Sequence, residues 1–204
     1  MVKFAHSGPE PFASPPTQDA PAECQARQTG AEGPIFENSF PGETMELIIT
    51  PYDPDDLPNE EQIPLPDPGL YEAVGGDEGF ARMIENFYDR IVESDIAFFF
   101  PQEEEEIGKI KEHNGKYFAE IAGGPKRYSE EMGHVDQIAM HKPFSINEKH
   151  RTEWLGTWRE VLEEIAKDVD PPLVESYFRF LDTYSKLLIN RPVNARSFED
   201  LAKV

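Results

Sequence analysis

From residue 69 to residue 190 the chain is a series of apolar stripes at helical spacing, cut by Gly and Pro, with no alternating run long enough for a strand. In DEGFARMIENFYDRIVES, the side chains Phe80, Met83, Ile84, Phe87, Tyr88 and Ile91 recur three and four apart, which gathers them on one face of an amphipathic helix. Gly75 and Gly76 precede it, and Asp77 is placed to cap it. The aromatic corner AFFFPQ follows, ended by Pro101. The next helix is predicted from about Glu103 to Ile121. Acidic residues crowd its first turn, where the helix dipole favours them, and Gly123-Gly124-Pro125 stops it. Ser145 or Asn147 can cap EKHRTEWLGTWREVLEEIAK, and Asp170-Pro171-Pro172 opens LVESYFRFLDTYSKLLIN, which ends before Pro192. This punctuation predicts an all-α domain with four main helices.

The chain ahead of that domain has a different character. Residues 1–68 hold 13 of the 40 acidic residues but only 2 of the 19 basic ones, and most of the prolines. Segments such as PYDPDDLPNEEQIPLPDPG have too little apolar surface to offset the entropy of ordering them. The expected organisation is an acidic, Pro-rich disordered extension over 1–68, a helical domain over 69–190 and a C-terminal tail over 191–204. MELIIT is an exception, since Met45, Leu47, Ile48 and Ile49 suit a short strand docked on a partner or on the domain itself. A sticky patch inside a disordered tail is the plainer alternative.

Charge and composition exclude several function classes. A formal net charge of −21 leaves no basic surface to displace counterions from nucleic acid. No polybasic segment would hold the chain to an anionic membrane, and no run has the length of a membrane span. The single cysteine, Cys24, cannot form an internal disulfide or a thiolate metal cluster. With no signal-like start, the expected location is the cytoplasm.

GHVDQIAMHKPFSI carries two histidines, His134 and His141, seven residues apart. In a helix they would stand about 10 Å apart along the axis, too far to share one ion. Each alone reads first as an ordinary surface or core residue. The domain is rich in aromatics, among them Phe87, Tyr88, Phe98, Phe99, Phe100, Tyr117, Phe118, Phe144 and Trp154. A plain aromatic core accounts for them; so does a flat apolar slot with one axial nitrogen, which is what a porphyrin needs.

From about Gly69 to Asn190 the chain resembles a truncated haemoglobin of group II. The words that carry the resemblance are YEAVGG, FYDRI, the FFFP corner, GGPKRYSEEMGH, MHKPFSI and Trp154, in the family's order and spacing. The resemblance implies a shortened globin, a two-over-two helical sandwich around haem b (iron protoporphyrin IX). It implies His141 as the proximal ligand of a five-coordinate ferrous iron, and His134 as a structural bystander. Phe144 and Ile146 would pack on the porphyrin edge, and Phe118, on one helix face with Ile110 and Asn114, would also meet the haem. Tyr88, Trp154, Asn114 and Ile110 would form the distal pocket, with Phe100, or Phe99, at the corner. Family members often carry arginines just before the proximal histidine to reach a haem propionate. Here Ala139-Met140 stand in their place, so Lys142, Arg127, Lys126 and Tyr128 become the anchors to consider.

Two functions follow from that resemblance, and a third from the N-terminal extension. The first is reversible binding or transport of dioxygen and other diatomic ligands, held by hydrogen bonds from Tyr88, Trp154 and Asn114. The second is a haem redox enzyme acting on nitric oxide or peroxide, which would need a reductase as partner. The third is an interaction protein whose N-terminal extension recruits a protein partner.

Overall fold

The computed structural model describes residues 45–59, 61, 63 and 65–191, all within one compact unit that begins at Pro41. The expected C-terminal tail beyond Arg191 and the first 44 residues of the expected extension lie outside the described residues. Among those described, all regular structure is helical.

Four long helices form the body: α2 (Gly76–Ile91), α3 (Glu104–Ile121), α6 (Glu148–Ile165) and α7 (Pro171–Ser185). Three short ones join them: α1 (Leu70–Ala73), α4 (Arg127–Met132) and α5 (Gln137–His141). Single 3₁₀ turns lie at Ala97–Phe99 and Lys186–Leu188. Helix α2 packs on α3, α6 packs on α7, and α2 crosses α6, so two antiparallel pairs stack as a two-over-two sandwich. The predicted stripe of α2 is the one that is buried, from Phe80 at 2% exposure to Ile91 at 0%. Opposite it, α6 contributes Leu155, Trp158, Val161 and Leu162, and α7 contributes Val174, Tyr177, Phe178 and Leu181. Phe87 stacks on Trp158 with ring centroids 4.4 Å apart, at the point where the two layers cross.

Helix ends follow the local chemistry, with one correction. Asn147 caps α6 through a reciprocal box, its Oδ1 accepting from His150 N–H while His150 Nδ1 accepts from Asn147 N–H. Asp136 caps α5 by accepting from Ala139 N–H at 2.8 Å. Asp77 does not cap α2, which instead begins at Gly76 behind Gly75 in the left-handed region, φ 98°. The Asp77 carboxylate accepts from Tyr71 O–H at 2.7 Å and from both Arg127 nitrogens at 2.6 and 2.8 Å, joining α1, α2 and α4. Those bonds, from Arg127 first and then Tyr71, hold the carboxyl down at about 2.

The MELIIT segment docks on the domain itself. It is extended but forms no strand, and Leu47 is buried in the core at 7% exposure, with Met45 and Ile49 packed beside it. Backbone N–H groups of Glu46 and Thr50 donate to Glu175 and Asp182 of α7.

Candidate functional site

A cleft of about 260 Å³ opens between α2, α3, α5, α6 and α7, just below the ~300–1,000 Å³ range of ligand pockets. Its lining includes His141, Phe144, Ile146, Phe100, Phe118, Tyr88, Trp154, Asn114 and Ile110, so these nine sequence-predicted residues come together in one place. Lys142 and Arg127 are not part of the lining. Lys142 is exposed at the end of α5, and the Arg127 guanidinium is committed to Asp77. His134 is exposed on the non-helical stretch ahead of α5.

Ring contacts within the cleft fall in two sets. On one side Tyr88 meets Phe100 at 6.0 Å, and Trp154 meets Phe87 at 6.2 Å and Phe118 at 6.4 Å. On the other, His141 meets Phe144 at 6.2 Å, and Phe99 lies between Phe144 at 6.1 Å and His150 at 5.0 Å. Phe100 and Phe99 of the corner therefore divide, Phe100 toward Tyr88 and Phe99 toward Phe144 and His150. Phe144 remains 42% exposed, where the cleft reaches solvent.

His141 is held by its own helix. Nδ1 lies 2.7 Å from the Gln137 carbonyl oxygen, so Nδ1–H donates there and Nε2 keeps the lone pair. Gln137 in turn donates through Nε2 to Tyr128 O–H at 2.8 Å, which ties α5 to α4. Tyr128 is itself wedged against Tyr117 and His113, with centroids 5.0 and 5.1 Å away. Tyr128 thus acts on the site through Gln137.

Tyr88 is 1% exposed, and Asn114 Nδ2 donates to its hydroxyl oxygen at 2.5 Å. Burial pushes the phenol up to about 12, the Asn114 bond offsetting part of that rise. The hydroxyl is therefore protonated throughout the physiological range. Because Asn114 fills the role of donor to the oxygen, the tyrosine's own proton is left to point elsewhere.

Sequence reasoning missed several members of the site. His150, Arg151, Phe180, Leu181, Tyr184, Ser185 and Leu188 also line the cleft, from α6 and the C-terminal half of α7 onward. His150 stands four residues before Trp154 on one helix face, so a signal existed for it. Arg151 gave none, because a buried arginine is intelligible only beside the Asp182 that pairs with it.

These residues suit a haem. Among the described residues no group of three or more His, Cys, Asp or Glu side chains could hold a bare metal ion. His141, with its Nε2 free in an apolar slot, suits a metal that brings its equatorial ligands with it, whereas His150, the second imidazole of the lining, spends its Nδ1 on the α6 cap. Residues 69–183 match the model of the bacterial-like globin family. With the two-over-two fold and this cleft already in place, the chain belongs to that family, and haem binding is the family's property. It is 25% identical over 122 residues to the group 2 truncated hemoglobin YjbI of Bacillus subtilis (strain 168), covering 59% of this chain and 88% of that one. Among solved structures it resembles the group II truncated hemoglobin from Bacillus anthracis, with TM-score 0.56 and 24% identity over 64% of this chain and 95% of that one. It also resembles a thermostable hemoglobin from the actinobacterium Thermobifida fusca, with TM-score 0.52 and 29% identity over 59% and 96%. The chain is thus a bacterial-like globin by family, with the two-over-two fold of the truncated hemoglobins it resembles. No helix among the described residues is long and apolar enough to cross a membrane.

Proposed function

We propose that the cleft holds haem b with His141 as proximal ligand, and that the protein binds dioxygen and other diatomic ligands reversibly on the Tyr88 side. The observation that carries this reading is that one cleft holds both an imidazole with Nε2 unspent and a buried, protonated tyrosine whose O–H is free to donate. Haem, when bound, supplies an iron with an open position for a diatomic ligand. The remaining work belongs to the chain. Gln137 orients the imidazole and fixes its tautomer through the Nδ1–H bond. Phe144, Ile146, Phe100 and Phe118 exclude water from the slot. Tyr88 O–H and Trp154 N–H are the donors that would meet a diatomic ligand in the slot, and Asn114 holds the Tyr88 hydroxyl in place. A hydrogen bond to a charged acceptor contributes about 1.5–3 kcal/mol, so each such donor slows ligand escape by roughly 10- to 100-fold. The protein is then a tight, slowly releasing binder in the cytoplasm.

The test is absorption spectra of the purified protein with haem supplied, in ferric, dithionite-reduced and carbon monoxide-bound forms, beside His141→Ala. A Soret band that shifts on reduction and again on carbon monoxide, and that is lost or altered in the variant, supports the reading. Failure of the wild type to take up stoichiometric haem sinks it.

A further inference from the structure

Of the two buried charges among the described residues, Arg151 lines the cleft and Asp182 backs it, and a segment ahead of the family-matched region completes their hydrogen bonds. Arg151 of α6 and Asp182 of α7, 2% and 3% exposed, form an ion pair. A buried guanidinium is costly unless its N–H groups are met. Here Arg151 Nε donates to Ser185 Oγ at 3.0 Å, and Nη2 donates to the Asp182 carboxylate and, at 2.9 Å, to its backbone oxygen. Nη1 donates to Glu148 Oε1 at 3.0 Å and to the Thr50 backbone oxygen at 3.0 Å. The Asp182 carboxylate also accepts from Thr50 N–H at 3.0 Å and Thr50 O–H at 2.5 Å. Tyr52 N–H adds a bond to Glu148 Oε1 at 3.2 Å, and Leu47 pins the segment into the core. Glu148 Oε2 is buried with no hydrogen-bond partner, so the network has little reserve. Arg151 and Ser185 line the cleft, together with Leu181 and Tyr184 on either side of the network.

We propose that residues 45–52 are a strap that positions Arg151 and, through it, the cleft wall built by α6 and α7. A stretch outside the globin-matched residues 69–183 is then part of the ligand-binding unit. Arg151 is a positioning residue: it sets the spacing of α6 and α7 rather than reacting. The inference rests on the haem reading only for the identity of the ligand that the wall encloses.

The experiment uses the full chain and two variants, Leu47→Asp to undock the strap and Thr50→Val to remove one hydroxyl while keeping its shape. Three readouts are hydrogen exchange at Glu46, Thr50 and Tyr52, haem release to excess apomyoglobin, and acrylamide quenching of tryptophan fluorescence in the haem-free protein. The third reports on Trp154, which lines the cleft, against Trp158, which is fully buried. The wild-type strap amides should be protected. Leu47→Asp should abolish that protection, speed haem release about tenfold or more and raise quenching, with Thr50→Val shifting both in the same direction by less. Free exchange of the wild-type strap amides overturns the proposal. So does a variant with an unprotected strap but unchanged haem release and quenching. Should Leu47→Asp fail to fold, Thr50→Val carries the same comparison. If the wild type binds no haem, the haem reading fails, while exchange and quenching still decide the strap.

Discussion

Tyr88 shows how one side chain's setting determines its chemistry. Burial removes its phenol from water and pushes its ionisation up to about 12, while the bond from Asn114 offsets part of that rise. A phenol raised in this way stays protonated in the fold after the unfolded chain has begun to ionise near 10. The folded state therefore binds the extra proton between pH 10 and about 12, and stability is lost as pH rises through that window. Tyr177, fully buried and raised by desolvation, acts in the same sense. Ultraviolet titration should show these two tyrosines ionising last, with denaturant midpoints falling across the window; early ionisation of all seven tyrosines would contradict the burial. Removing the hydroxyl in Tyr88→Phe should speed dioxygen release from the haem-loaded protein by roughly 10- to 100-fold in stopped flow. Asn114→Ala should give a smaller increase, since the tyrosine keeps its proton and loses only its orientation. The pattern at 80, 83, 84, 87, 88 and 91 showed that Tyr88 faces inward, whereas the Asn114 bond required two helices to be brought together.

Joints between elements depend on glycine and on caps. At Gly123 the backbone sits at φ 96°, and an added Cβ would stand 1.9 Å from the Pro68 carbonyl oxygen. Gly123→Ala therefore meets both left-handed strain, about 1–2 kcal/mol, and a backbone clash. It should lower the melting temperature by several degrees and spare the spectrum of any haem still bound, with calorimetry as the check. Gly79 makes a second close approach, its would-be Cβ lying 1.8 Å from Val74 O, where α1 runs into α2. Asn147→Ala should cost about 1 kcal/mol through loss of the α6 cap, and a denaturant titration would measure it. At the α1–α2–α4 joint, Asp77 is depressed from 3.8 to about 2. Its contribution is present above pH 4 and is lost as pH falls toward 2, so Asp77→Asn should flatten that part of the acid-unfolding curve. The glycine pairs were legible as stops, but Asp77 was misread as a cap because its partners, Tyr71 and Arg127, come from other elements.

At the scale of the whole molecule, the two-over-two sandwich brings short α5 and its His141 to a cleft bounded by every long helix. A ligand that binds only the folded state stabilises it by mass action, by about 4 kcal/mol at a thousandfold excess over Kd. Haem should therefore raise the melting temperature and slow amide exchange in α5 and around Ala97–Phe99, as hydrogen exchange with and without haem would show. What the sequence by itself determined is the helical class and the four long helices, because apolar periodicity and Gly–Pro punctuation act over a few residues; the nine cleft residues were reached only through the resemblance of its motifs to the truncated haemoglobins. Only the tertiary structure decided the rest. Residues 45–52 join the domain, Arg151 is buried, and Arg127 is bound to Asp77 instead of facing the cleft. Each of these rests on charges and hydrogen-bond partners 31 to 132 positions apart along the chain, and the cost of burying them is met only when folding brings both members of a pair together.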